Sequence, residues 1–212
     1  METPLDLGRW PRRAHYEFFR RYDQPFWNLA APVDVTALHR HCREEGGPSF
    51  FLASFFLSLK AANQVEPLRY RLRGEGVTVH DVVHGGSTVL MPDETFAFAY
   101  FDFADDFPRF AAAGEAELAR VKSGQDGLKP RPERDDLLHY SVIPWVSFTS
   151  FAHARKSSVE DSVPKMVFGK HYEAGGRRLM PVSLEVHHAL VDGVHVGRFF
   201  ERFQALLDEV RL

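Results

Sequence analysis

The sequence lacks most of the features that mark a specialised class. It contains one cysteine, Cys42, which excludes an intrachain disulfide framework and fits a reducing compartment. No apolar run is long enough to cross a bilayer. The opening residues METPLDLGRW have neither the basic nor the apolar stretch of a secretory signal, so a cytoplasmic protein is expected. The 26 Lys and Arg are scattered, and against 29 Asp and Glu they leave a net charge of −3. Charge therefore gives no reason to expect nucleic acid or an anionic membrane as partner. There is no internal repeat and no low-complexity stretch, so the 212 residues are read as one domain, residues 1–212.

Phenylalanine is abundant, with 19 residues. Most of these rings are expected in the core, and the remainder suit an apolar pocket or a subunit interface. The pattern predicts an N-terminal helix from near Pro11 through RRAHYEFFRRY, and a second helix over ALHRHCREE capped by Asp34 or Thr36. A third helix, SFFLASFFLSLKAAN, is apolar on nearly every face and should lie between layers. From Leu68 the texture turns to strands. YRLR and VTVH form a hairpin with Gly74 and Gly76 in its turn, and STVLM and TFAFAYF follow. Helical spacing returns in FPRFAAAGEAELARVKS, and a polar loop leads to three further strand candidates: YSVIPWVSFTSF, KMVFGKHY and RLMPVSLEVHH. An amphipathic helix carrying Val196, Phe199, Phe200, Phe203, Leu206 and Leu207 closes the chain. The sum is an α+β sandwich of two layers, with helices on a mainly antiparallel or mixed sheet.

Chemistry concentrates at Met180–His195. Met180, Val182, Leu184 and Val186 share one face of a strand, and Ser183, Glu185 and His187 the other. His188 continues the apolar parity and should point inward or into a cleft, with His187 in polar surroundings. A histidine held by the tight turn after a strand suits a general base, because imidazole titrates near neutrality and must be rigidly placed. Asp192, just before Gly193 and a new helix, leaves His188 neutral if it pairs with an arginine instead, and Arg12 is the candidate. From spacing alone His188 is as readily a hydrogen-bonded core histidine. A metal site built from His187, His188, Asp192 and His195 is disfavoured, since alternation sends adjacent strand residues to opposite faces; no metal is expected.

The run HHALVDG resembles the hallmark His-His-Ala-x-x-Asp-Gly of the trimeric chloramphenicol acetyltransferase family. Further blocks occur in that family's order: WxRRxHxEFF from Trp10, DETF from Asp93, SVIPWVSFTSF from Ser141 and FGKHY from Phe168. The resemblance implies a CoA-dependent acyltransferase fold assembled as a homotrimer, with interfacial active sites and acetyl-CoA as co-substrate. It implies that His188 is the base, that Ser141 hydrogen-bonds the oxyanion, and that Asp192 and Arg12 form a pair orienting the histidine loop. Trp145, Lys170 and His171 fall at CoA-contacting positions, where a packed Trp and a solvated Lys are the plain alternatives. Phe18, Phe19, Trp27, Phe96, Phe151, His153, Lys165 and Val167 fall in the acceptor pocket, although Phe96 and Phe151 could equally be core. The small-molecule acceptor implied is chloramphenicol (antibiotic resistance); alternatives are a more polar hydroxyl compound, or a non-catalytic CoA-binding trimer.

This chain departs from the family on the acceptor side. Phe19 replaces a common Tyr, Val167 a threonine, and Trp27 a smaller aromatic, while His171 replaces a Tyr. His153, Arg155 and Lys165 stand where residues are usually apolar or uncharged. A charge in a desolvated pocket is costly unless paired, so these side chains either snorkel outward or accompany a more polar or anionic acceptor.

Overall fold

The apolar stretch that the sequence places between layers does lie there. In the computed structural model, which describes residues 1–124, 128–156 and 161–212, Ser49 caps it through the backbone N–H of Leu52, and nearly all of it is buried. In chain order the elements are β1 (Glu2–Pro4), α1 (Arg13–Phe19), β2 (Phe26–Asp34), α2 (Thr36–His41) and α3 (Phe50–Asn63). There follow β3 (Tyr70–Arg73), β4 (Gly76–His80), β5 (His84–Leu90), β6 (Phe96–Phe101) and α4 (Phe107–Lys122). The last five are β7 (Leu137–Ile143), β8 (Lys165–Gly169), β9 (Tyr172–Ala174), β10 (Arg177–His187) and α5 (Gly193–Glu209).

The main sheet runs β2-β10-β8-β7-β5-β6, with β9 paired to the start of β10. Its β5–β7 and β7–β8 pairs are parallel and the others antiparallel, so the sheet is mixed. A second sheet, β1-β4-β3, contains the predicted hairpin. Its turn is Gly74-Glu75, with Gly74 at φ 53°, whereas Gly76 opens β4. Arg71 anchors this hairpin to the main sheet: fully buried, it donates to the carbonyls of Leu68, Tyr70, Asp135 and Leu137.

One face of the main sheet carries Val182, Leu184, Val186, Met166, Phe168 and Tyr140, all buried in the core with α3 and α5. Phe168 stacks on Phe203 of α5, and Tyr140 meets Phe55 of α3 with ring centroids 4.1 Å apart. The approach is so close at Gly85 that a Cβ there would fall 2.3 Å from the Phe55 ring. Ladder register places His139 beside Lys165 beside Glu185, and Ser141 beside Val167 beside Ser183. By strand alternation these residues occupy the opposite face, which the core helices leave uncovered.

Three sequence expectations need correction. Helix α1 begins at Arg13 and ends at Phe19, shorter than the pattern suggested, because Arg12 is committed to tertiary partners and Phe18 and Phe19 of the last turn pack on Tyr22 just beyond it. The strand read through YSVIPWVSFTSF stops at Ile143, where Pro144 offers no N–H to a ladder. Neither cap candidate is the N-cap of α2, which is Val35; Asp34 instead closes the turn leading into the helix, its Oδ1 accepting from the Thr36 backbone N–H at 2.9 Å and from Thr36 Oγ1 at 2.5 Å.

Candidate active site

Strand β10 ends at His187, and the turn His188–Val191 leads to Asp192, the N-cap of α5. Asp192 and His195 form a reciprocal capping box in which His195 Nδ1 accepts the Asp192 N–H at 3.0 Å. His187 Nδ1 accepts the Ala189 N–H at 3.2 Å. Arg12 closes the corner from the start of α1. Its Nε and Nη2 donate to Asp192 Oδ2 and Oδ1 at 2.7 and 2.6 Å. The same guanidinium donates to the carbonyls of Ala189 and His188, both at 3.1 Å. A planar fork that grips a carboxylate and two carbonyls fixes the backbone on both sides of His188.

This bracing leaves one histidine uncommitted. The His188 ring stacks on Phe19 (centroids 3.9 Å apart, 13° between planes) and lies 5.6 Å from the Trp27 ring. Trp27 Nε1 in turn donates to Val191 O at 3.2 Å. His188 Nδ1 is buried and makes no hydrogen bond; Asp192 Oδ1 is 3.2 Å away but out of line and already holds Arg12. The side chain is 33% exposed. His187 lies in the polar surroundings expected of it, lining a cavity with Arg155, Asp161 and Glu185, and His188 sits in a cleft against Phe19 and Trp27. What period two did not show is that His187 is the more buried of the two, at 4%.

Electrostatics separates the roles of these groups. Burial opposes ionisation of Asp192, but the hydrogen bonds and charge of Arg12 outweigh it and hold the carboxyl below its usual range. Burial, reinforced by Arg155, pushes His187 down to about 4, and burial with Arg12 also lowers His195. Both therefore serve as neutral acceptors.

The other predicted residues form separate groups. Ser141 opens onto a cavity of about 390 Å³ with Phe96, His153 and Lys165. Ser141 Oγ hydrogen-bonds no described residue. Phe98, Tyr100, His139 and Arg131 also line this cavity. Sequence reasoning missed all four, although period-two alternation in TFAFAYF puts Phe96, Phe98 and Tyr100 on one face. Val167 is fully buried beside Ser141. Phe151 lies outside the cavity, its ring 5.0 Å from that of His153. Phe18 is exposed and edge-on to Phe19. Trp145 is 61% exposed on the loop after β7, next to the segment that Lys170 joins by donating its N–H to Val146 O at 2.9 Å. His171 Nδ1 lies 3.0 Å from Arg178 Nη1. Among the described residues the metal-like grouping is Glu2, His80 and Asp135, remote in sequence from the HHALVDG turn, and Arg73 already pairs with both carboxylates.

A mixed sheet covered by helices on one face, with a strand-end histidine braced by an Arg–Asp pair, is a two-layer sandwich, and its relatives make the class that of the acyltransferases. The family model described as chloramphenicol acetyltransferase matches residues 2–204, and the chain belongs to that family. Chloramphenicol acetyltransferase 3 of Escherichia coli is 30% identical over 96% of both chains. The chloramphenicol acetyltransferase of Streptomyces acrimycini is 34% identical over 97% of this chain and 94% of its own. Among solved structures, a chloramphenicol acetyltransferase superposes with a TM-score of 0.84 at 24% identity, covering 98% of this chain and all of its own. The cubic core of the pyruvate dehydrogenase complex gives 0.67 at 17% identity, covering 88% and 83%. The fold is thus that of the CoA-dependent acyltransferases.

Proposed function

We propose that the chain transfers acetyl from acetyl-CoA to a hydroxyl of a small acceptor, with chloramphenicol as the leading acceptor and antibiotic resistance as the outcome. The observation that carries this reading is the His188 corner. Arg12 takes up Asp192 and two flanking carbonyls, while the imidazole alone stays free and partly exposed. His188 Nε2 removes the acceptor's hydroxyl proton as the oxygen attacks the thioester carbon. Its proton then passes to the departing sulfur, so base and acid roles balance. Ser141 Oγ, uncommitted within the chain, donates to the oxyanion, a contribution of ~3 kcal/mol for a preorganised donor.

The two groups stand far apart in one chain, which supports a homotrimer in which His188 of one subunit meets the Ser141 cavity of the next. Trp145, Lys170 and His171 would hold CoA: an exposed indole suits the adenine, and a free ammonium suits a phosphate. The whole chain acts as a single domain and no metal enters the chemistry. Among the described residues no helix is long and apolar enough to cross a membrane, and the need for acetyl-CoA places the enzyme in the cytoplasm.

The test is thiol release from acetyl-CoA with and without chloramphenicol, repeated with His188→Ala. Chloramphenicol-dependent release that disappears in the variant supports the reading. Release with other alcohols alone would change the acceptor, and CoA binding without any release would favour a non-catalytic trimer.

A further inference from the structure

Three charged or ionisable side chains, His153, Arg155 and Lys165, gather at the open face of the sheet, and of these Arg155 is fully paired, while His153 Nδ1 is buried without a hydrogen bond. Arg155 donates to Glu185 Oε1 at 2.5 Å and to Asp161 Oδ2 at 2.8 Å, and its guanidinium lies 3.5 Å over the Phe26 ring. His153 donates its backbone N–H to Glu185 Oε2 at 3.2 Å, with its ring Nδ1 3.8 Å from the same oxygen. Burial resists ionisation of Glu185, yet these hydrogen bonds hold its carboxyl well below the usual range.

Lys165 is different. Its Nζ makes one hydrogen bond, to Ala154 O at 3.1 Å, and among the described residues no carboxylate lies within 4 Å of it. An ammonium has three donors, so two remain. Burial and Arg155 lower its proton affinity against the opposing charges of Asp161 and Glu185, and a bound anion would raise it. The cavity it lines also holds the second cation Arg131, whose guanidinium sits 4.5 Å over the Tyr100 ring, and among the described residues no Asp or Glu lines that cavity. Its walls are otherwise aromatic, from Phe96, Phe98 and Tyr100. Ladder register puts Lys165 two residues from the level of Ser141 on the neighbouring strand, about 8 Å away by strand geometry.

We propose that the Ser141 cavity is built for an acceptor carrying a carboxylate several bonds from its hydroxyl, on an aromatic or otherwise apolar body, and that Lys165 determines this specificity with Arg131 behind it. This rests on the acyl-transfer reading above and names the acceptor class for the same site. A carboxylate would take the unused ammonium donors, and charge-assisted hydrogen bonds of this kind discriminate strongly between an acid and its neutral isostere.

The test compares N-benzoylserine with N-benzoylserinamide, which share a ring and a primary hydroxyl but differ in charge. With acetyl-CoA, kcat/KM should favour the acid roughly tenfold in the parent. Lys165→Val should lower that ratio by about the same factor, and Lys165→Arg should retain it. A ratio unchanged by Lys165→Val, or a parent preference for the amide, overturns the proposal. In a second arm N-benzoylserine is titrated onto each protein without acetyl-CoA. A Kd roughly tenfold weaker in Lys165→Val supports it, whereas no binding to the parent, or equal Kd values, overturns it. Lys165-dependent binding with no acetyl transfer to any acceptor would sink the acyl-transfer reading, and the acceptor role with it, and leave only the carboxylate site governed by Lys165.

Discussion

Ser141 and His188 lie on the same sheet yet cannot meet within one chain. Ser141 is level with Ser183 of β10, two strands over, and His188 is five residues beyond Ser183. At about 4.8 Å between strands and 3.3 Å per residue, the two are roughly 19 Å apart. A base and an oxyanion donor must both reach one reacting carbonyl, at about 3 Å each. If both serve one reaction, they come from different copies of the chain.

Arg12 is expected to matter through what it holds. Arg12→Ala removes two hydrogen bonds to Asp192 and two to the carbonyls of the His188 turn. The pair is partly exposed, at 13% and 28%, so the stability loss is put at about 2 kcal/mol, below the range for fully buried pairs. A fall of kcat by tenfold or more should accompany it, as the freed turn no longer fixes the imidazole. Arg12→Lys should recover little, having no planar fork. Denaturant unfolding and steady-state kinetics on both variants check this; full recovery by lysine would refute the bracing role.

Ser141→Ala should lower kcat by a factor of 10² to 10³ with little change in KM, because its hydroxyl acts on charge that develops only in the transition state. Equal kcat in variant and parent would remove Ser141 from the mechanism.

The fold should weaken in mild acid through His187. Its folded-state value is pushed down to about 4, whereas an unfolded histidine titrates near 6.5. The unfolded chain therefore binds the extra proton between these values. Stability from this group is intact above the unfolded value and lost as pH falls toward the folded one, by roughly 3 kcal/mol in all. In His187→Gln, which keeps an acceptor for the Ala189 N–H, the slope of unfolding free energy against pH between 4 and 6.5 should flatten. An unchanged slope would assign the acid sensitivity elsewhere.

Much of this was legible from residues alone. Buried helix α3, the Gly74 hairpin and the amphipathic α5 followed from apolar period and turn chemistry, and HHALVDG placed His188 and Asp192 at a strand–helix corner. Three things were not legible. Period two did not reveal that His187 is the more buried of the two histidines, because burial at a strand's end is set by tertiary contacts, here the turn braced by Arg12. The acceptor roles of His187 and His195 depend on backbone N–H groups whose directions only the folded turn fixes. Arg155 and Lys165 look alike in sequence, yet Arg155 pairs with Glu185 and Asp161 whereas among the described residues Lys165 has no carboxylate within 4 Å, a difference decided by long-range pairing.

The most direct measurement mixes two inactive chains. His188→Ala keeps Ser141, and Ser141→Ala keeps His188. If each active centre draws one of these residues from each of two neighbouring subunits, equal amounts unfolded and refolded together should form intact centres at about a quarter of the interfaces, by random assortment in a closed ring. Acetyl transfer should then return to about a quarter of the parent rate. A mixture no more active than the mean of the two variants alone would contradict the shared centre and the role of His188 in it.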